Sequence, residues 1–156
     1  MEQKTKIVAE DGKQEMVITR EFDLPVALLF RAHAEAELVE QWMGTQVIKL
    51  ESEKHGSYQY LKTDDKGNVL FKADGVIHEF IPNHKIIRTF EMANVPLGVQ
   101  LEIYAFERLT DDTSKLHMHV IYESVTQRDQ VVQMGMTQGI NWAHDRIQAI
   151  AGNLKK

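Results

Sequence analysis

The sequence predicts an α+β domain in which a curved antiparallel sheet wraps around one long C-terminal helix. Three observations carry this reading. Residues 127–153, QRDQVVQMGMTQGINWAHDRIQAIAGN, place Val132, Met136, Gly139, Ile140, Ala143, Ile147 and Ile150 on one side of a helical wheel. Gln130, Gln133, Gln138, Asn141, Asp145 and Gln148 fall on the other side, so the helix is amphipathic. Residues 45–123 form a run of short apolar segments separated by turn residues, the pattern of an antiparallel meander. A twisted sheet has one apolar face to bury, and only the last helix is large enough to cover it.

Taken in order, residues 5–9 and 15–23 read as two extended runs around Asp11-Gly12, a hairpin dipeptide. Within the second, Met16, Ile18, Arg20 and Phe22 share one face and Val17, Thr19 and Glu21 the other. Pro25 suits the first turn of a short helix whose inner side is Val26, Leu29, Phe30 and His33. A break near Ala34 precedes a second short helix, EAELVEQWM, with Leu38, Val39 and Trp42 inward and Gly44 closing it. Strands follow over 46–53, 57–63, 69–81, 85–92, 99–109 and 115–122. The last alternates Leu116, Met118, Val120 and Tyr122 against His117 and His119, one face for the core and one for water.

The long helix has Thr126 as its expected N-cap, with Asp129 three positions on, and Gly152-Asn153 as its stop. Lys155 and Lys156 suit the negative end of its dipole. Uninterrupted, it would be roughly 40 Å long. Gly135 and Gly139 stand one turn apart inside it, each costing about 1 kcal/mol relative to alanine. Such glycines either let a neighbouring backbone approach or leave volume for a ligand, and the function turns on which.

A chain of 156 residues fits one domain, residues 1–156, with a real core. It has no cysteine, which removes disulfides, thiolate nucleophiles and cysteine zinc sites. The charged start, MEQKTKIVAEDGK, has no apolar signal core, and no stretch reaches the length of a membrane span, so a cytoplasmic protein without membrane insertion is expected. A formal net charge of −5 with scattered basic residues argues against a nucleic-acid partner. Oligomeric state is not legible.

Three stretches carry a family resemblance: ITREFDLPVALLFRAHAEAELVEQWMG, GVIHEFIPNHKIIRTFE and ESVTQRDQVVQMGMTQGINWAHDRIQAI. Trp42-Met43-Gly44 and Gly135-Met136-x-x-Gly139 are the most specific parts. In these the chain resembles the helix-grip superfamily SRPBCC, also called START-like or birch-pollen-allergen-like. Within it, the similarity is to the group homologous to the C-terminal domain of heat-shock-protein ATPase activators. The superfamily contains lipid carriers, hormone receptors, polyketide cyclases and oxygenase subunits, so the resemblance implies a cavity between sheet and helix, not a reaction.

That cavity would be walled by Met136, Gly139, Ile140 and Ala143 on the helix, with Phe30 and Trp42 from the short helices. Phe90, Met92, Met118 and Val120 would face it from the sheet. Tyr58, Tyr60, Glu79 and Tyr104 are candidate polar anchors. Glu79 would be a carboxyl with a raised pKa inside the cavity, or would face water, or would pair with Arg88 across the following turn. His117 and His119 share a strand face, but it is the outer one and no third ligand is apparent, so no metal is expected. No nucleophile elbow, phosphate loop or dinucleotide fingerprint occurs, and no cofactor or catalytic residue is assigned. The leading expectation is a binding protein for a hydrophobic small molecule or lipid. A co-chaperone-like protein–protein module is the second, and the third is a cyclase- or hydrolase-type enzyme using Glu79, a tyrosine or His33.

Overall fold

The computed structural model describes residues 4–155. The first three residues and Lys156, one of the two lysines assigned to the helix dipole, lie outside the described residues. The elements are β1 (Lys6–Val8), β2 (Glu15–Phe22), α1 (Val26–Ala34), α2 (Ala36–Met43), β3 (Gln46–Leu50), β4 (Ser57–Thr63), β5 (Val69–Ile81), β6 (Lys85–Met92), β7 (Val99–Arg108), β8 (Ser114–Ile121), α3 (Val125–Gln133) and α4 (Met136–Gly152). All eight strands form one antiparallel sheet in the order β1-β2-β8-β7-β6-β5-β4-β3. The meander is as expected. Closing β2 against β8 brings the first long strand beside the last.

Period-two alternation selects the inner face. Met16, Ile18, Arg20 and Phe22 of β2 are buried, as are Tyr58 and Tyr60 of β4. Register shifts interrupt β3/β4, β4/β5 and β5/β6, and such bulges bend a strand and raise its twist. The helices α1 and α4 lie against this face, where Leu29, Phe30, Ile147 and Ala151 join Phe22, Tyr58, Tyr104 and Phe106 in the main core. Gly44 ends α2 in the left-handed region, as expected.

The single long helix is corrected to two. α3 stops at Gln133, and Gly135, with φ 82°, turns the chain before α4 starts at Met136. The Met134 and Gly135 amides close the last turn of α3 onto the carbonyls of Val131 and Val132, at 3.2 and 3.3 Å. The N-cap is also corrected. Ser124, not Thr126, accepts a hydrogen bond from the Gln127 amide at 3.1 Å. Gly135 is therefore a chain-turning residue; its positive φ suits a residue without Cβ.

Two sets of polar bonds fix the halves. Arg128 of α3 is buried and donates to the carbonyl of Glu10 at 2.7 Å, tying α3 to the β1–β2 hairpin. On α4, Arg146 donates to the carbonyls of Trp42 (3.2 Å) and Gln41, the last turn of α2, where a cation is favoured. Gln148 accepts from the Asp23 amide at 2.9 Å and donates to its carbonyl at 3.3 Å. Among the described residues no helix is long and apolar enough to cross a membrane.

Candidate functional site

Cross-strand register builds the site. In one row across the inner face, Ile77, Arg88, Glu102, Val120 and Met16 are successive partners. In the next, Ile86, Tyr104, Met118 and Ile18 are partners, and Phe90 pairs with Gln100. The rows place a charged pair, a phenol and the Gln100 amide in the middle of a mostly apolar surface. Between this surface and α4 lies a cavity of about 330 Å³. An apolar cavity of roughly 150 Å³ accommodates benzene, so this one has room for a ligand about twice that size.

Five of the six described methionines, Met43, Met92, Met118, Met134 and Met136, line the cavity. Met134, at the α3–α4 break, is 57 % exposed, so the cavity reaches the surface there. Unbranched thioether side chains can repack around ligands of different shape.

The floor is polar and internally connected. Arg88 Nε donates to Glu102 Oε1 at 2.8 Å, while its two Nη groups donate to the Tyr60 and Tyr104 hydroxyls at 3.1 and 3.0 Å. Tyr104 donates in turn to Glu102 Oε1 at 2.9 Å, and Gln100 Nε2 donates to Glu102 Oε2 at 2.8 Å. The guanidinium stacks 4.5 Å from the Tyr58 ring centre. Burial pushes the Tyr104 phenol well above its usual range, with Arg88 opposing and Glu102 reinforcing the shift.

Two histidines complete the wall. His33 Nδ1 lies 2.9 Å from the carbonyl of Leu29, one turn back on α1. Burial lowers its pKa to about 4, against a smaller opposing effect of that carbonyl, and the Arg88 charge adds to the lowering. His144 of α4 sits 2.8 Å from the Thr5 hydroxyl, edge-on to Phe22. Burial first, then His33 and Arg20, lower its pKa to about 3.

Of the residues expected at the site, Trp42, Tyr104, Phe90, Met92 and Met118 line the cavity, and so do Met136, Ile140 and Ala143 of α4. Trp42 is held by its indole N–H, which donates to the Ala32 carbonyl at 2.7 Å. The remaining assignments are corrected. Phe30 is core, edge-to-face with Phe80 and Phe106 at 5.2 and 5.0 Å. Val120 is fully buried beside Met16 and Ile18. Tyr58 lies beneath Arg88 and donates its hydroxyl to the Thr89 carbonyl. Tyr60 faces only a pocket of about 20 Å³ behind Arg88. Gly139 is exposed, and beyond its own helix backbone no atom lies within 4 Å of where its Cβ would be, so it neither lines the cavity nor permits close packing.

Glu79 is outside. The register shift between Ile77 and Glu79 inserts an extra residue, so the inward series Ala73, Gly75, Ile77 passes to Phe80 and Glu79 turns outward. It pairs with Lys85 at 3.4 Å, not with Arg88. His117 and His119 face outward as expected, each against a carboxylate, Glu107 at 2.9 Å and Glu15 at 2.6 Å. Among the described residues no three His, Cys, Asp or Glu side chains cluster as a metal site.

Arg88, Gln100, Glu102 and His144 are the polar cavity-lining residues that sequence reasoning missed, as it missed Met43, Val131 and Met134 among the apolar ones. For Arg88 the signal was present: it alternates with Phe90 and Met92 on β6. For β7 it was misleading, because Leu101 and Ile103 occupy the outer face and Gln100, Glu102 and Tyr104 the inner one.

A curved antiparallel sheet closed over a cavity by a C-terminal helix defines a helix-grip domain. The chain belongs to the family described as "Activator of Hsp90 ATPase homolog 1-like protein", whose model matches residues 23–152, within the SRPBCC superfamily. Similar solved structures include a protein from Arthrobacter aurescens, 17% identical with a TM-score of 0.83, covering 95% of this chain and 91% of that one. Protein Ms6760 from Mycobacterium smegmatis is 22% identical with a TM-score of 0.83, covering 94% and 95%. A Rhodobacter sphaeroides protein is 19% identical with a TM-score of 0.82, covering 95% and 99%. At these identities the likeness is one of fold. A search of curated proteins gives no match.

Proposed function

We propose that the protein binds a hydrophobic small molecule between the sheet and α4. The observation that carries this reading is the 330 Å³ cavity whose wall holds five methionines. A core packed for stability alone leaves few voids larger than a water molecule. A space of this size with flexible apolar walls and a few polar groups has the composition of a ligand site. The enzyme alternative is weakened because Glu79 is outside and both Glu102 oxygens are engaged by protein donors. The protein-partner alternative rests on the family's description and on small exposed apolar groups, such as Val8 beside its register partner Val17, rather than on a cavity of this size.

The test is a fluorescence titration with the uncharged probe N-phenyl-1-naphthylamine, beside native mass spectrometry of the purified protein. Ala143→Phe places a ring in the cavity and should weaken probe binding by roughly tenfold or more, as overpacking would. Gly139→Leu, on the exposed side of α4, should bind as the parent does. Absence of saturable binding to the parent, or equal binding by Ala143→Phe, would remove the proposal.

A further inference from the structure

We infer that the cavity selects an uncharged apolar ligand bearing a hydroxyl group, held at His33, and discriminates against carboxylates. This deepens the binding reading above and rests on it.

The charges on the floor are already paired. Arg88 and Glu102 are in direct contact at 2.8 Å, and their side chains are 14% and 4% exposed. Both Glu102 oxygens accept from protein donors. A ligand carboxylate would therefore enter as a second anion beside Glu102, with no uncompensated cation to meet it. Burying such a charge is costly.

The floor leaves both acceptors and donors unused. The Leu29 carbonyl can only accept, so the hydrogen of neutral His33 resides on Nδ1 and Nε2 carries a bare lone pair. The ring is neutral at physiological pH, and no described residue hydrogen-bonds to Nε2. Gln100 is oriented by the same logic. A carboxylate can only accept, so the amide nitrogen faces Glu102 and the amide oxygen is left as a second acceptor. Arg88 has five N–H groups and gives three to Glu102, Tyr60 and Tyr104, leaving donors as well. His33 and Arg88 share walls of both the main cavity and the smaller pocket behind it. A hydroxyl can donate to His33 and accept from Arg88; a carboxylate can only accept.

Isothermal titration at pH 7.4 with 2-naphthol, naphthalene and 2-naphthoate separates the possibilities, since all three share one apolar body. The expected order is 2-naphthol tightest, naphthalene roughly tenfold weaker as for one lost hydrogen bond, and 2-naphthoate weakest. His33→Phe should reduce 2-naphthol to the affinity of naphthalene and leave naphthalene unchanged. Long-range 1H–15N spectra of the parent protein provide a reading that needs no variant: Nε2 of His33 should resonate as an unprotonated nitrogen and shift when 2-naphthol is added. Tighter binding of 2-naphthoate than of 2-naphthol, or an unshifted Nε2, would overturn the inference while leaving the cavity as a binding site. Binding of none of the three would overturn both.

Discussion

Arg88 and Glu102 sit opposite each other on β6 and β7, and removing one leaves the other's largely buried charge without its partner. Arg88→Met should lower unfolding stability by about 3–5 kcal/mol, whereas a double variant with Glu102→Leu should regain most of the loss. Urea denaturation of the parent, both single variants and the double checks this; a loss below about 1 kcal/mol for Arg88→Met would mean that Glu102 is solvated. The two depressed histidines set a pH dependence. In the unfolded chain each takes a proton near pH 6.5. In the folded protein His33 does so only near about 4 and His144 near about 3. Between these values the unfolded state binds more protons, so stability is complete above about pH 6.5 and falls as pH drops toward 4. The slope is at most about 1.4 kcal/mol per pH unit for each histidine. Urea midpoints at pH 7 and pH 5 should differ accordingly, and an unaltered slope in the His33→Leu/His144→Leu variant would assign the effect elsewhere. At this scale legibility depended on local regularity. Trp42, Phe90 and Met118 could be placed by alternation or helical period, but Glu79 could not, because one inserted residue in β5 reverses the face of everything after it.

The C-terminal helix illustrates how a correct apolar stripe conceals a break. Met136, Ile140, Ala143 and Ile147 do line the cavity, as their spacing predicts, because α4 alone keeps their phase. Wheel periodicity tolerates a glycine in either role, so it could not separate Gly135, which turns the chain, from Gly139, which simply occupies a helix exterior. The two should respond oppositely to the same substitution. Gly139→Ala adds helix propensity at an exposed site and should stabilise by about 0.5–1 kcal/mol. Gly135→Ala forces a side chain into the left-handed region and should destabilise by about 1 kcal/mol. Thermal unfolding of both variants decides; the same sign for both would mean that α3 and α4 are one helix. On the sheet the limit was different. β7 carries its aliphatic residues outward and its polar ones inward, so binary patterning points away from the site there, and only the pairing of Glu102 with Arg88 explains the choice.

For the whole molecule, the order of strands, the two short helices and the covering helix were legible because turn residues and apolar periods mark them repeatedly. The cavity volume was not, since it depends on how far α4 stands from the sheet, a distance set by Arg146 on the end of α2 and Gln148 on Asp23. An occupied cavity should couple to global stability. At a ligand concentration a hundredfold above Kd, about 2.7 kcal/mol is added, a rise in Tm of roughly 5–11 °C for a chain of this size. Differential scanning fluorimetry with 2-naphthol measures it, and an unmoved Tm at saturation would deny that the ligand favours the folded state. The methionine wall also makes the protein its own spectrometer. In a sample labelled with 13C only at methionine methyls, signals from Met43, Met92, Met118, Met134 and Met136 would report from different sides of a bound molecule. Met16, fully buried and outside the cavity lining, would serve as the stationary reference.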